Sequence, residues 1–321
     1  MSLRAHGSRS DSSQRVGTWE HGPVSTPVTD PAPVYNPFDP AFRANPYPFY
    51  DVLREQAPAY DTGYGLIVLT RYSDVGHVLR SNDFSRDIDA NGTPSDDPVA
   101  QRRRLRRSQG SKSILNLDPP DHTRLRRLVS KAFTPTAIDA LRGRIEAQVD
   151  DVLDRGAERG SMELVDELAF PVPFQVISDL LDIPQDRSEE MREWGQLLTA
   201  ALEPTTTLET LDAAEGALEQ MGPYLAGVVE DRRRNLGDDV LSALIVAEEE
   251  GDRLTTEELL SFVVLLYVAG HETTVNLIGN GMLALLRSPA ELDRWRRDPS
   301  LDANAVDELL RYDGPVQHTV R

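Results

Sequence analysis

Residues Thr255 to Arg287 constrain the fold more than any other stretch, because they read as one long helix whose apolar middle is interrupted by Ala269-Gly270-His271-Glu272-Thr273-Thr274. The start has the form of a capping box: Thr255 can accept from the amide three residues on, while Glu258 reaches back to the cap. Pro289 closes the stretch after Arg287 and Ser288. At 1.5 Å per residue such a helix spans roughly 48 Å, enough to cross a whole domain. Phe262 through Ala269 carries no polar face, which predicts burial on all sides. The uninterrupted apolar run falls far short of the ~20 residues that span a bilayer, so no membrane is expected as a partner.

The interruption is locally unfavourable. Glycine in a helix interior costs about 1 kcal/mol, and a buried carboxylate must be paired or protonated. The Thr273 hydroxyl can bond the carbonyl of Ala269, which loosens or bends the helix. A small-residue gap at Ala269 and Gly270 would then admit a flat ligand or a small molecule. Glu272 and Thr273, an acid beside an alcohol, can relay protons from solvent to a ligand there. A purely structural polar kink accounts for the same residues.

The 321 residues suit one large domain or two ordinary ones. A formal charge of -19 argues against nucleic acid as a partner. There is no cysteine, which excludes disulfides, zinc-thiolate sites, and a thiolate nucleophile or iron ligand within these residues. The first 34 residues are rich in Ser, Gly, Pro and Arg, lack the apolar core of a signal peptide, and read as a disordered tail. A cytoplasmic protein is the expectation.

Along the chain, Tyr47 to Glu55 suits a short helix, and Ala59-Tyr60 with Leu66 to Thr70 a hairpin. Ser73 is placed to cap a further helix. Residues Asp83 to Ser111 are polar and aperiodic, and include Arg102, Arg103, Arg104, Arg106 and Arg107; they read as a solvated basic loop, or as a docking patch for an acidic partner. Asp118-Pro119-Pro120-Asp121 is a helix start with an acidic cap. On the helix that follows, His122 and Arg126 lie at the margin of the apolar stripe, while Arg124 and Arg127 point away. A satisfied histidine with a snorkelling arginine is one reading of that pair, and a clamp for a buried carboxylate or phosphate is the other. Helices are expected near 136–159, 173–182, 186–202, 208–235, 238–249, 289–297 and 302–312. The last carries Glu308 and Arg311 at a spacing that lets them pair.

Several motifs fail. A zinc-protease signature needs a second histidine where Val275 stands, and neither a phosphate-binding glycine loop nor a nucleophile elbow occurs.

Taken in order, these pieces resemble the bacterial cytochrome P450 family, from about Tyr35 to Arg321. The central helix matches the family's Ala/Gly-Gly-x-Asp/Glu-Thr sequence with Ala269, Gly270, Glu272 and Thr273. The resemblance implies a mainly α fold with a small β-sheet, and a haem b cofactor with Ala269 and Gly270 over its distal face. It makes Glu272 and Thr273 the groups that deliver protons for splitting dioxygen. The DPPDHTRLR stretch resembles the family's haem-propionate helix, which gives that role to His122 and Arg126, and Arg321 corresponds to another propionate partner. Glu308 and Arg311 match a structural Glu-x-x-Arg pair, and residues 83–111 match a variable substrate-contacting loop. The implied activity is a monooxygenase that takes O2, a small apolar substrate and electrons from a ferredoxin-type donor.

The family holds its haem iron with a cysteine in a C-terminal loop, and no such loop is present here. The resemblance therefore implies the amino-terminal part of such a protein, a C-terminally incomplete domain over residues 35–321, with no metal ligand of its own and activity only in the completed protein. A non-catalytic helical protein, binding an apolar ligand or a partner through the central gap, stands as the alternative.

Overall fold

A computed structural model describes residues 35–63, 66–87, 96–109, 113–249 and 251–321; the tail of residues 1–34 lies outside them. The described fold is mainly helical, with two small two-stranded antiparallel sheets, as expected. It divides into two units, one comprising the chain up to Ser95 with Val320–Arg321, the other Asp96–Thr319.

In the first unit, helices α1 (Pro40–Ala44) and α2 (Tyr47–Gln56) precede the strands β1 (Ala59–Asp61) and β2 (Ile67–Leu69) and helix α3 (Tyr72–Arg80). The hairpin pairs Ala59 with Leu69 and Asp61 with Ile67. Gly63, at φ +77°, takes the left-handed turn between the strands, where its amide donates to the Asp61 carboxylate at 2.8 Å. Phe42, Leu53 and Val78 are buried, and the Phe42 ring meets Tyr35 and Tyr50 edge-on at 5.3 and 5.6 Å. Ser73 is not the cap of α3. The cap is Arg71, without a side-chain bond, and Ser73 donates to the neighbouring Asp74.

The second unit runs α4 (Pro98–Gln109), α5 (Asp121–Ser130), α6 (Pro135–Asp139), α7 (Arg142–Arg159), a π-helical turn (Val165–Ala169), α8 (Pro171–Leu181), α9 (Ser188–Ala200), α10 (Leu208–Arg234), α11 (Val240–Val246), β3 (Glu248–Glu249), β4 (Asp252–Arg253), α12 (Thr256–Arg287), α13 (Pro289–Arg297) and α14 (Asp302–Tyr312). The helix expected over 136–159 is split at Ala140 and Leu141, and the one expected over 238–249 stops at Val246 before the β3–β4 hairpin.

The core lies where α12 packs on α8, α9 and α10. Leu259, Val263, Tyr267, Val268 and Val275 of α12 meet Phe174, Ile177, Trp194, Leu211 and Leu225 in one apolar cluster. Each such side chain, fully buried, contributes about 1.5–3 kcal/mol.

Burial of α12 is one-sided, contrary to the all-round burial expected for Phe262 to Ala269. Phe262, Val264, Leu265 and Leu266 are half-buried and Ala269 is exposed, because α8 to α10 cover only one side of the helix. By length and composition α12 is long and apolar enough to cross a membrane, so its polar break does not settle that question as the sequence suggested.

The basic segment is not a solvated loop. Its arginines form α4, where Arg102 reaches Asp212 and Glu215 of α10 at 3.2 and 2.5 Å, and Arg103 donates to the carbonyls of Ala201 and Glu203, both at 2.7 Å. Arg102 and Arg103 are thus among the arginines used within the chain. Residues 88–95 and 110–112 of that segment lie outside the described residues.

Candidate functional site around the central helix break

The capping box at the start of α12 is present in full. Thr255 Oγ1 accepts from the Glu258 amide at 3.1 Å, and the Thr255 amide donates to Glu258 Oε2 at 2.8 Å. The other carboxylate oxygen of Glu258 receives Arg124 of α5, which also reaches Asp252 of β4 at 3.2 Å. Burial works against the Arg124 charge, but its hydrogen bonds to Asp252 and Glu258 raise its pKa above the ordinary arginine value.

Arg124 therefore faces inward, where the helical wheel had it pointing away. The wheel weighed only the apolar stripe, and two acids outside that stripe draw the guanidinium in. The acidic cap expected for α5 is replaced by Pro120, which makes no side-chain capping bond, while the Asp118 carbonyl accepts from the His122 amide at 3.0 Å. His122 is half-buried and engaged within the chain; Arg126 is exposed, with no side-chain partner among the described residues. Arg124 places this helix at Glu258, eleven residues before Ala269 and so roughly 16 Å along the α12 axis. Arg321 belongs to the other unit, where its guanidinium donates to the carbonyls of Leu79 and Phe84 at 2.8 and 3.4 Å.

Through the break itself α12 remains a continuous helix. Thr273 Oγ1 donates to the Ala269 carbonyl at 2.9 Å, as expected, and Thr274 Oγ1 to that of Gly270 at 3.3 Å. Gly270 approaches α8 so closely that a Cβ there would lie 3.0 Å from Ile177 Cδ1. Part of the expected gap is thus filled by a neighbouring helix on one side of Gly270, while Ala269 and Gly270 are both exposed. Ala269, Thr273 and Asn276 follow one another at helical spacing along the uncovered side, with Glu272 beside them at 27% side-chain exposure.

This stripe of small and hydroxylated groups fits one face of a planar cofactor such as haem, with Ala269 leaving room and Thr273 offering a hydroxyl. A haem of the kind the resemblance implies would need a thiolate ligand, and the 321 residues contain no cysteine to supply one.

His271 is the residue whose importance the sequence did not reveal. It is completely buried, with Nδ1 2.7 Å from the Tyr267 carbonyl oxygen and its ring against Phe170 and Phe174. Burial also pushes the Tyr267 phenol well above its ordinary pKa. The only signal available beforehand was position: one helical turn after Tyr267, His271 falls on the covered side.

At the far end of α12, Gly281 lies so near Leu309 that a Cβ would come within 2.9 Å of its Cδ1, and Asn280 donates to the Asp313 carbonyl at 3.3 Å. On α14 the expected Glu308–Arg311 pair is present and bidentate, both bonds 2.6 Å, and exposed. The Arg311 hydrogen bonds lower the Glu308 pKa below the usual carboxylate range.

The family model for cytochrome P450 matches residues 59–298. The chain is 41% identical over 284 residues to cytochrome P450 107B1 of Saccharopolyspora erythraea, covering 87% of this chain and 68% of that protein. Against the cytochrome P450 monooxygenase PikC of Streptomyces venezuelae the identity is 38% over 283 residues, covering 86% and 64%. The solved structure of the polyketide-synthase cytochrome P450 PksS from Bacillus subtilis superposes with a TM-score of 0.76 at 35% identity, covering 87% of this chain and 69% of that one.

Proposed function

The chain belongs to the cytochrome P450 family, and from that premise we propose that it serves a haem-dependent monooxygenase that inserts one atom of O2 into a small apolar molecule. The observation that carries the reading is the uncovered stripe of α12, on which Ala269, Thr273 and Glu272 lie together. Haem, when bound, supplies the activation of dioxygen. Ala269 and Gly270 keep the helix surface low beneath it. Thr273 Oγ1, its own hydrogen shared with the Ala269 carbonyl, presents a lone pair and a hydroxyl that can accept one proton and pass on another. Glu272, part in water and part in protein, brings protons from solvent.

Arg126 is the better placed of the two α5 candidates to hold a propionate, since its guanidinium is exposed. Arg321 would have to exchange carbonyl partners for a carboxylate. In this proposal residues 35–321 act as one family domain, because the family match runs from one unit into the other. Cytoplasmic residence and a ferredoxin-type electron donor belong to the same proposal.

Activity in this reading requires a thiolate that these residues do not contain. A carbon-monoxide difference spectrum tests it. The 321-residue chain with haem should give no thiolate-type band, and the same residues joined to a segment bearing one cysteine on the opposite haem face should give it. If the joined protein lacks the band, the reading is wrong. A non-catalytic ligand-binding protein then takes its place.

A further inference from the structure

Helix α5 meets the start of α12 in two ways. One is apolar: Leu125 and Val129 of α5 and Ser261 and Phe262 of α12 line a seam that keeps a void of about 10 Å³, at the lower limit for a single water. The other is ionic. Arg124 reaches Glu258 of α12 and, at 3.2 Å, Asp252 of β4; its side chain is 30% exposed and that of Glu258 17%.

The two contacts do different work. Apolar contact is non-directional, so the seam brings the helices together without fixing how far α5 slides or turns on α12. A guanidinium shared between two carboxylates is directional, because its N–H groups form a planar fork. Glu258 is itself held in place, since its Oε2 accepts from the Thr255 amide at 2.8 Å in the capping box and its Oε1 receives Arg124. The anchor point is thus the first turn of α12, which runs on to the break as one unbroken helix.

Successive residues on a helix are about 100° apart. Arg124 therefore lies on one margin of the buried stripe of Leu125, Leu128 and Val129, while His122 and Arg126 lie on the other. Arg126 is exposed, with no side-chain partner among the described residues, so its direction is that of the helix beneath it.

We propose that Arg124 is a positioning residue that locks α5 in one register on α12 and thereby aims Arg126 at the anion it is to hold. The inference rests on the propionate role given to Arg126 above and deepens it. Without the fork α5 stays attached by its apolar stripe but loses its single register, and the Arg126 guanidinium is spread over several places. Lysine is an incomplete substitute, because one ammonium on a flexible stem lacks the planar fork that reaches both acids in fixed directions.

The distance between two spin labels tests this in the 321-residue chain without haem. The sequence contains no cysteine, so labels at Ser130→Cys on α5 and Thr274→Cys on α12, both exposed positions, are the only ones. With Arg124 present, one narrow distance is expected. Arg124→Ala should broaden or shift it while the helix content by circular dichroism stays the same, and Arg124→Lys should recover part of the sharpness. A distance in Arg124→Ala as narrow as in the parent, and at the same value, overturns the proposal however far the unfolding midpoint falls. A merely structural ion pair changes stability and leaves the native register alone. Should the alanine variant fail to fold, Arg124→Gln, which keeps bulk and a donor but no charge, carries the same test with the same two outcomes. Failure here removes the anchor and leaves the monooxygenase reading standing, whereas a missing thiolate band removes that reading and leaves the register of α5 as it is.

Discussion

Thr273→Ala should cut product formation by about 10²-fold, the lower end of what a positioned acid–base group contributes. This applies to the haem-loaded protein with its thiolate ligand, and oxygen should continue to be consumed. In the proposed reading the hydroxyl of Thr273 passes a proton along the uncovered stripe, and alanine removes it while keeping a helix-forming residue. Its bond to the Ala269 carbonyl is a side-chain addition to an intact backbone ladder, so stability should change by no more than about 0.5 kcal/mol. Product formed per oxygen consumed, measured beside urea unfolding, separates the two effects. Thr273→Ser, which keeps the hydroxyl, should recover most of the coupling. An unchanged ratio of product to oxygen in the alanine variant would remove the role assigned to Thr273.

Phe174→Ala should destabilise the protein by about 3–5 kcal/mol, the usual cost of deleting a buried phenylalanine. Phe174 is 7% exposed and touches the ring of Tyr267, that of His271 and that of Phe170. It is therefore the wedge on which the break in α12 rests. Against a typical total of about 5–15 kcal/mol, such a loss takes a large share of the stability. Phe174→Leu, closer in volume, should cost less than its alanine counterpart. Urea denaturation of the three proteins checks this, and a loss below about 1 kcal/mol for alanine would mean that α8 and α12 repack freely around the missing ring.

What could be read beforehand was local. The capping box at Thr255 and Glu258 fixes the start of α12 through contacts three residues apart, and Pro289 fixes its end, so both bounds of the helix were legible. The back-bond from Thr273 to Ala269 is likewise a four-residue contact. What escaped depends on distant partners. Helix α4 has no apolar period to announce it, and its Arg102 is held by Asp212 and Glu215, more than a hundred residues away. Arg124 turns inward for the same kind of reason, toward Asp252 and Glu258.

Gly270 shows how one residue supports two readings. Its lack of a side chain suggested room for a ligand, yet Ile177 of α8 occupies part of that room. Helix packing thus explains the glycine without any cofactor, and the proposed site rests more on Ala269, Thr273 and Glu272. The difference between Glu272 and its neighbour His271 was also hidden. Adjacent positions on a helix are about 100° apart, so one meets water and the other the core, and which is which depends on where α8 and α9 lie.

The central claim is that these residues serve the transfer of one oxygen atom from O2. Isotopically heavy dioxygen, supplied with an apolar substrate and electrons to the haem-loaded protein with its thiolate ligand, tests it most directly. One heavy atom in the product and the other in water is the predicted result; a product whose new oxygen comes from water would contradict it.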